Sequence, residues 1–260
     1  MNRLIPELVC ELPVSAASGL VICGDKFFII SDDELSLLSG DFSGNYVFTS
    51  LWEHELPDDP KLRKKLKPDL ESLYLDGPTL WALPSFSRPN RVKGARIELS
   101  SDFKILQHEE VDFTDLYQKL SMFVPDLNIE GAVLKDNILH LFQRGNGKQG
   151  SNSIITIHKE EVHIRPLKLP HFNGIPLTVT DATMLDGEIF YLAVAEDTDS
   201  TYLDGKVKGA FLGRLHGVDI GQIEFQGKPE GLSFHSDGYL YFVTDDDSRK
   251  ISSRLFRLKI

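Results

Sequence analysis

Four acidic residues, Glu71, Glu130, Asp181 and Glu230, recur along the 260-residue chain at intervals of about 50, each opening a short apolar run. A second polar set stands at the far end of the next apolar run in each copy. It reads Ser31-Asp32-Asp33, Ser85-Phe86-Ser87-Arg88, Gln143-Arg144, Ala195-Glu196 and Thr244-Asp245. Carboxylates gathered in one place offer hard oxygen ligands to a divalent cation such as Ca²⁺. Crowding also raises a carboxyl pKa, which suits general acid or base work in a hydrolase or lyase, with Arg88 or Arg144 holding a phosphate or carboxylate substrate. In a third reading the acids bond backbone amides and tie a protein-interaction scaffold together. The candidate ligand-binding set is therefore Glu71, Arg88, Glu130, Arg144, Asp181, Glu196, Glu230 and Asp245, and the candidate metal set is Glu71, Glu130, Asp181 and Glu230.

Other chemistry fails on spacing. Gly145-Asn146-Gly147-Lys148-Gln149-Gly150 lacks the Ser/Thr that follows the lysine of a phosphate loop, and it lies between strand-like runs. Asp197-Thr198-Asp199-Ser200 opens like an EF-hand loop, but Tyr202 and Lys208 stand where glycine and glutamate are needed. His140 takes the repeat position of Trp81, Tyr191 and Tyr241, so it reads as a packed ring. There is no His-Glu-x-x-His helix and no Gly-x-Ser-x-Gly elbow.

The elements that must position the acids are strands. Each acid starts a unit of an apolar alternation, a tight turn and a second, aromatic-rich strand, as in Glu230-Gly231-Leu232-Ser233-Phe234 followed by Tyr239-Leu240-Tyr241-Phe242-Val243. Asp76-Gly77, Asp186-Gly187 and Asp237-Gly238 supply the turns, because glycine tolerates positive φ. A weaker copy begins at Ser18-Gly19 with serine in the acid's place. Five copies of about 50 residues, each leaving room for two further strands, make an all-β five-bladed β-propeller spanning residues 1–260. The blades fall near 13–56, 68–112, 127–170, 177–226 and 228–260 plus 3–12. The last copy runs out after its third strand while Leu4 to Leu12 stands alone, so the N-terminal strand is expected to close the C-terminal blade and remove both open edges. In that fold the acids and the second polar set share one mouth of the central channel.

Two longer connections enter the same face. The first, His54 to Lys67, ends in the run Lys61 to Lys67, whose leucines four apart predict a short amphipathic helix with a basic face that is either solvated or attracts anions, and the second, Asp112 to Asn128, predicts a helical cover over the mouth. Around them the chain bears a net charge of −11, which opposes nucleic-acid binding, and no apolar stretch is long enough for a membrane helix. Cys10 and Cys23 lie in apolar runs and read as reduced thiols; with no signal peptide in view, a cytoplasmic monomer is expected, its partner a small molecule or cation at the mouth.

The motifs Ile129-Glu130-Gly131 and Pro229-Glu230-Gly231-Leu232, each ahead of a tight turn and an aromatic strand, resemble those of small bacterial propellers of the phytase-like (esterase-like activity of phytase) and SdiA-regulated families. The resemblance implies a propeller with acids around its channel, sometimes holding calcium, and mostly no established reaction. It puts Glu71, Glu130 and Glu230 at the family's acidic position, with Asp181 a shorter variant and Ser18 a departure. Calcium-dependent phytases of this kind have six blades, so their phosphatase chemistry does not carry over to five.

Overall fold

The computed structural model describes residues 2–198, 205–217, 221–225, 227–245 and 251–260; the Asp197-Thr198-Asp199-Ser200 segment and Tyr202 lie partly or wholly outside them. Two strands, β1 (Arg3–Leu4) and β2 (Glu7–Glu11), precede the first blade. Blade one comprises β3 (Ala17–Cys23), β4 (Lys26–Ser31), β5 (Ser36–Asp41) and β6 (Tyr46–Ser50). Helix α1 (Pro60–Leu66) leads to blade two, made of β7 (Leu70–Asp76), β8 (Thr79–Pro84), β9 (Lys93–Leu99) and β10 (Ile105–Asp112). Helix α2 (Thr114–Ser121) leads to blade three, β11 (Ile129–Lys135), β12 (Ile138–Gln143), β13 (Ser153–His158) and β14 (Glu161–Pro166). Blade four holds β15 (His171–Phe172), β16 (Ile175–Leu185), β17 (Glu188–Asp197), β18 (Lys206–Arg214) and β19 (Gly221–Ile223). Blade five holds β20 (Lys228–Phe234), β21 (Tyr239–Asp245) and β22 (Arg254–Lys259). The protein is thus a five-bladed all-β propeller.

Closure follows the expectation in one part and differs in another. β2 pairs antiparallel with β22, Glu7 opposite Arg257, and so completes blade five. The residues expected to form one strand are, however, divided. β1 pairs parallel with β19, Arg3 opposite Gln222, on the outer edge of blade four. Pro6 stands between the two strands and has no N–H to give to a ladder, which separates them.

The core is divided between the blade boundaries. One cluster joins blades one and two around Phe28, Ile30 and Leu73, another joins two and three around Leu83, Phe86 and Leu141, and others continue round the ring to Leu20, Tyr241 and Leu255 where blade five meets blade one. Burying one such side chain contributes about 1.5–3 kcal/mol, so the sheets adhere face to face. Helix α2 belongs to this packing. Its Leu116, Tyr117 and Leu120 join the cluster of blades two and three, and Lys119 bonds the carbonyl of Glu160 in the far turn of blade three. It fills a groove between blades and is not the expected cover over the mouth, because its apolar residues find their surface in that groove.

Every innermost strand carries a bulge. The pairing skips Ser18 in β3, Glu71 in β7, Glu130 in β11, Thr180 in β16, and Glu230 with Gly231 in β20. A bulge leaves one residue unpaired and re-aims its side chain. Here it takes Ser18, Glu71, Glu130, Thr180 and Glu230 out of the ladder, one in each blade, with Gly231 beside the last.

Candidate functional site

The bulges correct the register of the acidic ring. Its members are Ser18, Glu71, Glu130, Thr180 and Glu230, and Asp181 lies one residue beyond. Ser18 and Thr180 make the same contact: each hydroxyl donates to the carbonyl just ahead of the next blade's ring acid, Leu70 at 2.6 Å and Pro229 at 2.7 Å. Asp181 shares its position with Gly19, Ser72, Gly131 and Gly231. There the strands approach so closely that a Cβ on Gly131 would stand 2.8 Å from the Ala182 nitrogen, and one on Gly231 2.5 Å from the Leu20 nitrogen. The Glu-Gly pair is therefore the signature of a bulged acid followed by a close approach of backbones. Asp181 accepts from the N–H groups of Ala182 at 2.7 Å and Leu232 at 2.5 Å, which makes it a structural clasp.

The second polar set lies beside the starts of the innermost strands. Ala17 faces Ser31, Ile129 faces Gln143 and Lys228 faces Asp245, so strand starts and returning strand ends share one side of the ring. Arg144 is buried and binds Glu130 at 3.2 Å and also contacts Glu196. Glu196 reaches it because β17 extends to Asp197, and it further accepts the Gly205 N–H at 2.7 Å. Lys228 pairs with Glu230 at 2.8 Å. Asp245 is buried at the end of β21.

Blades one and two supply cations of their own. Lys67 is buried, its Nζ in contact with Asp32 and 3.2 and 3.3 Å from Asp33 and Asp69. Arg91 bonds Asp69 at 2.5 Å and Ser87 Oγ at 2.7 Å. Arg91 thus reaches the carboxylates from this loop, and the half-buried Arg88 accepts the Arg91 N–H on its carbonyl at 2.9 Å. Lys67, Arg91 and Lys228 thus join Arg144 among these carboxylates. Asp69 itself sits at φ 62°, a left-handed conformation that costs energy in a residue with a Cβ and concentrates at functional sites.

Helix α1 inverts the expected orientation of the basic run. Leu62 and Leu66 are 46% and 52% exposed, whereas Arg63 donates to the Asp33 carbonyl at 2.7 and 3.2 Å and Lys67 is buried. Arg63 and Lys67 are drawn to the Asp33 carbonyl and to the carboxylates of Asp32, Asp33 and Asp69, and this sets the helix's orientation.

Glu71 differs from the other ring acids. It is half-buried and has no hydrogen-bond or ion-pair partner among the described residues. Burial, then the charges of Glu130, Asp69, Asp32 and Glu230, hold its carboxyl well above the usual range. Glu230 is raised as well, by burial and by Glu130 against the pull of Lys228, and its buried Oε2 has no partner. Burial raises Asp32 to about 6 despite Lys67, and its Oδ1 is also without a partner. Oxygens of Asp32, Asp69 and Glu71 lie within 4.8 Å of one another, close enough to share one metal ion. Among the described residues this is the group of acids, histidines or cysteines that can do so.

The sequence reading missed Lys67, Asp69, Arg91, Asn128 and Lys228. Asp69, Asn128 and Lys228 each stand two residues ahead of a ring acid, on the side to which strand alternation returns, and Asn128 Nδ2 donates to Glu130 at 2.6 Å. That spacing was a usable signal, but the residue types at the position do not repeat.

A family profile matches residues 13–260, and with it the whole ring. The chain belongs to DUF6929, a family of unknown function. The resemblance to phytase-like and SdiA-regulated propellers holds for the propeller fold, and the family that matches is DUF6929. No curated protein matches the chain in sequence. Among solved structures it is similar to Bacillus subtilis arabinanase Arb43A, at 10% identity over 98% of this chain and 95% of that one with a TM-score of 0.54. It is also similar to Myxococcus xanthus glutaminyl cyclase, at 13% identity over 99% and 97% with a TM-score of 0.53. The PQQ-bound aldose sugar dehydrogenase of Streptomyces coelicolor gives 9% identity over 98% and 97% with a TM-score of 0.53. At these identities the likeness is one of fold.

Proposed function

We propose that the mouth binds a divalent cation, Ca²⁺ foremost, with Glu71 as the principal ligand and Asp32 and Asp69 beside it. The observation that carries this reading is the partnerless carboxylate of Glu71, held within 4.8 Å of two further carboxylates. A half-buried anion without a partner is costly unless it is protonated or neutralised by a ligand. The orphan, buried Oε2 of Glu230, near enough to raise Glu71, points to the same need. Calcium accepts irregular sets of carboxylate and carbonyl oxygens, which suits an asymmetric ring.

The hydrolase or lyase reading is less well supported. It needs a cation available to hold an anionic substrate, and Arg91 and Arg144 are already bonded to carboxylates. The reactions named for the structural relatives differ from one another, so the fold transfers none of them.

The test is calorimetric titration of chelator-treated protein with CaCl₂ and MgCl₂, repeated on Glu71→Gln. Saturable binding by the wild type that is lost in the variant is expected. Absence of saturable binding by the wild type overturns the reading.

A further inference from the structure

We infer that Lys67 is a tethered counter-ion that an entering cation must displace, so that cation binding frees helix α1 from the mouth. The inference rests on the reading of the mouth as a cation site. Lys67 Nζ lies 3.3 Å from Asp69 and in contact with Asp32, two of the three carboxylates that can share a metal with Glu71. A metal coordinated by those oxygens would stand almost where the ammonium stands, and two cations so close repel strongly in a partly buried site. The ammonium cannot share that space with a metal held by the same oxygens. It must therefore move.

The attachment of α1 permits that movement. The helix buries none of its own residues and turns Leu62 and Leu66 outward. It is held by polar contacts: Arg63 to the Asp33 carbonyl, Arg63 to Glu34 at 3.4 Å, and Asn90 to the Lys65 carbonyl at 2.9 Å. Lys67 continues from its last turn, with its N–H on the Arg63 carbonyl at 2.8 Å. A segment with so little apolar burial opens at small cost. Lys67 thereby sets a threshold for cation binding, and the position of α1 reports whether the threshold has been passed.

Two measurements test this. Calorimetry with CaCl₂ on Lys67→Met and Lys67→Gln should give affinities about tenfold or more above wild type, because the competing charge is gone. Hydrogen exchange on the wild-type protein should show the amides of residues 60–67 exchanging faster with saturating CaCl₂ than without it. Equal or weaker binding by both variants, with exchange in 60–67 unchanged, overturns the inference and leaves the cation site standing. No binding by wild type or variants overturns both. If the variants do not fold, the wild-type exchange decides alone: faster exchange supports displacement, and unchanged exchange overturns it.

Discussion

Asp181 accepts the Leu232 N–H at 2.5 Å across the boundary of blades four and five, at a ring position where three other blades carry glycine. The carboxylate supplies the close approach that glycine elsewhere provides by having no side chain. Asp181→Ala strips the Ala182 and Leu232 amides of their acceptor and should destabilise the fold by about 1–3 kcal/mol. Urea unfolding measures the loss. Calcium affinity should remain at the wild-type value, because Asp181 lies one residue off the acidic ring; an affinity loss on calorimetry would return it to the site.

Arg144 joins blades three and four through Glu130 and Glu196. Arg144→Met leaves two buried carboxylates without their cation, a change that costs about 3–5 kcal/mol. Thermal unfolding should show this as a large fall in midpoint at neutral pH that lessens in acid, where the stranded carboxylates take up protons. A fall independent of pH would mean that packing, and not charge, is what Arg144 provides.

Stability should decline as pH rises from about 5 to 8 in the absence of divalent cations. Asp32, at about 6, and Glu71 and Glu230, well above the carboxylate range, bind protons more tightly in the folded than in the unfolded chain. Their contribution is complete below the unfolded pKa of about 4 and is lost as pH passes upward through the folded values. Saturating calcium favours the ionised mouth and should flatten the slope. A midpoint that climbs steadily toward pH 8 without calcium would contradict the assignment.

Removal of residues 2–12 uncovers β19 and β22 together, since β1 and β2 cover one edge each. Unpaired edges template association. Light scattering should detect oligomers of the truncated protein, with a lowered thermal midpoint; a truncated protein with the wild-type midpoint and mass would show that the edges are protected otherwise.

The blades were legible because their turns and Glu-Gly pairs repeat, and repetition survives without knowledge of any contact. The ring was legible in Glu71, Glu130 and Glu230 for the same reason. Matching acid with acid puts Asp181 on the ring, whereas the bulge falls at Thr180, which lacks the Glu-Gly pair that marks the bulges of blades three and five. Leucines four apart ordinarily face a core and turn the basic residues outward, whereas here the body offers Asp32, Asp33 and Asp69 to Lys67. Arg91 is not legible in the sequence because the loop between β8 and β9 has no period from which to read direction.

The pairing of Glu7 with Arg257 and of Arg3 with Gln222 has a consequence in time. Both N-terminal strands emerge from synthesis long before their partners exist, and neither blade four nor blade five can be completed until those partners have been made. Contacts so distant in sequence are slow to form, because the loop that must close is almost the whole chain. For that interval the growing propeller is an open arc with edges at both ends, and its final step is the joining of those ends.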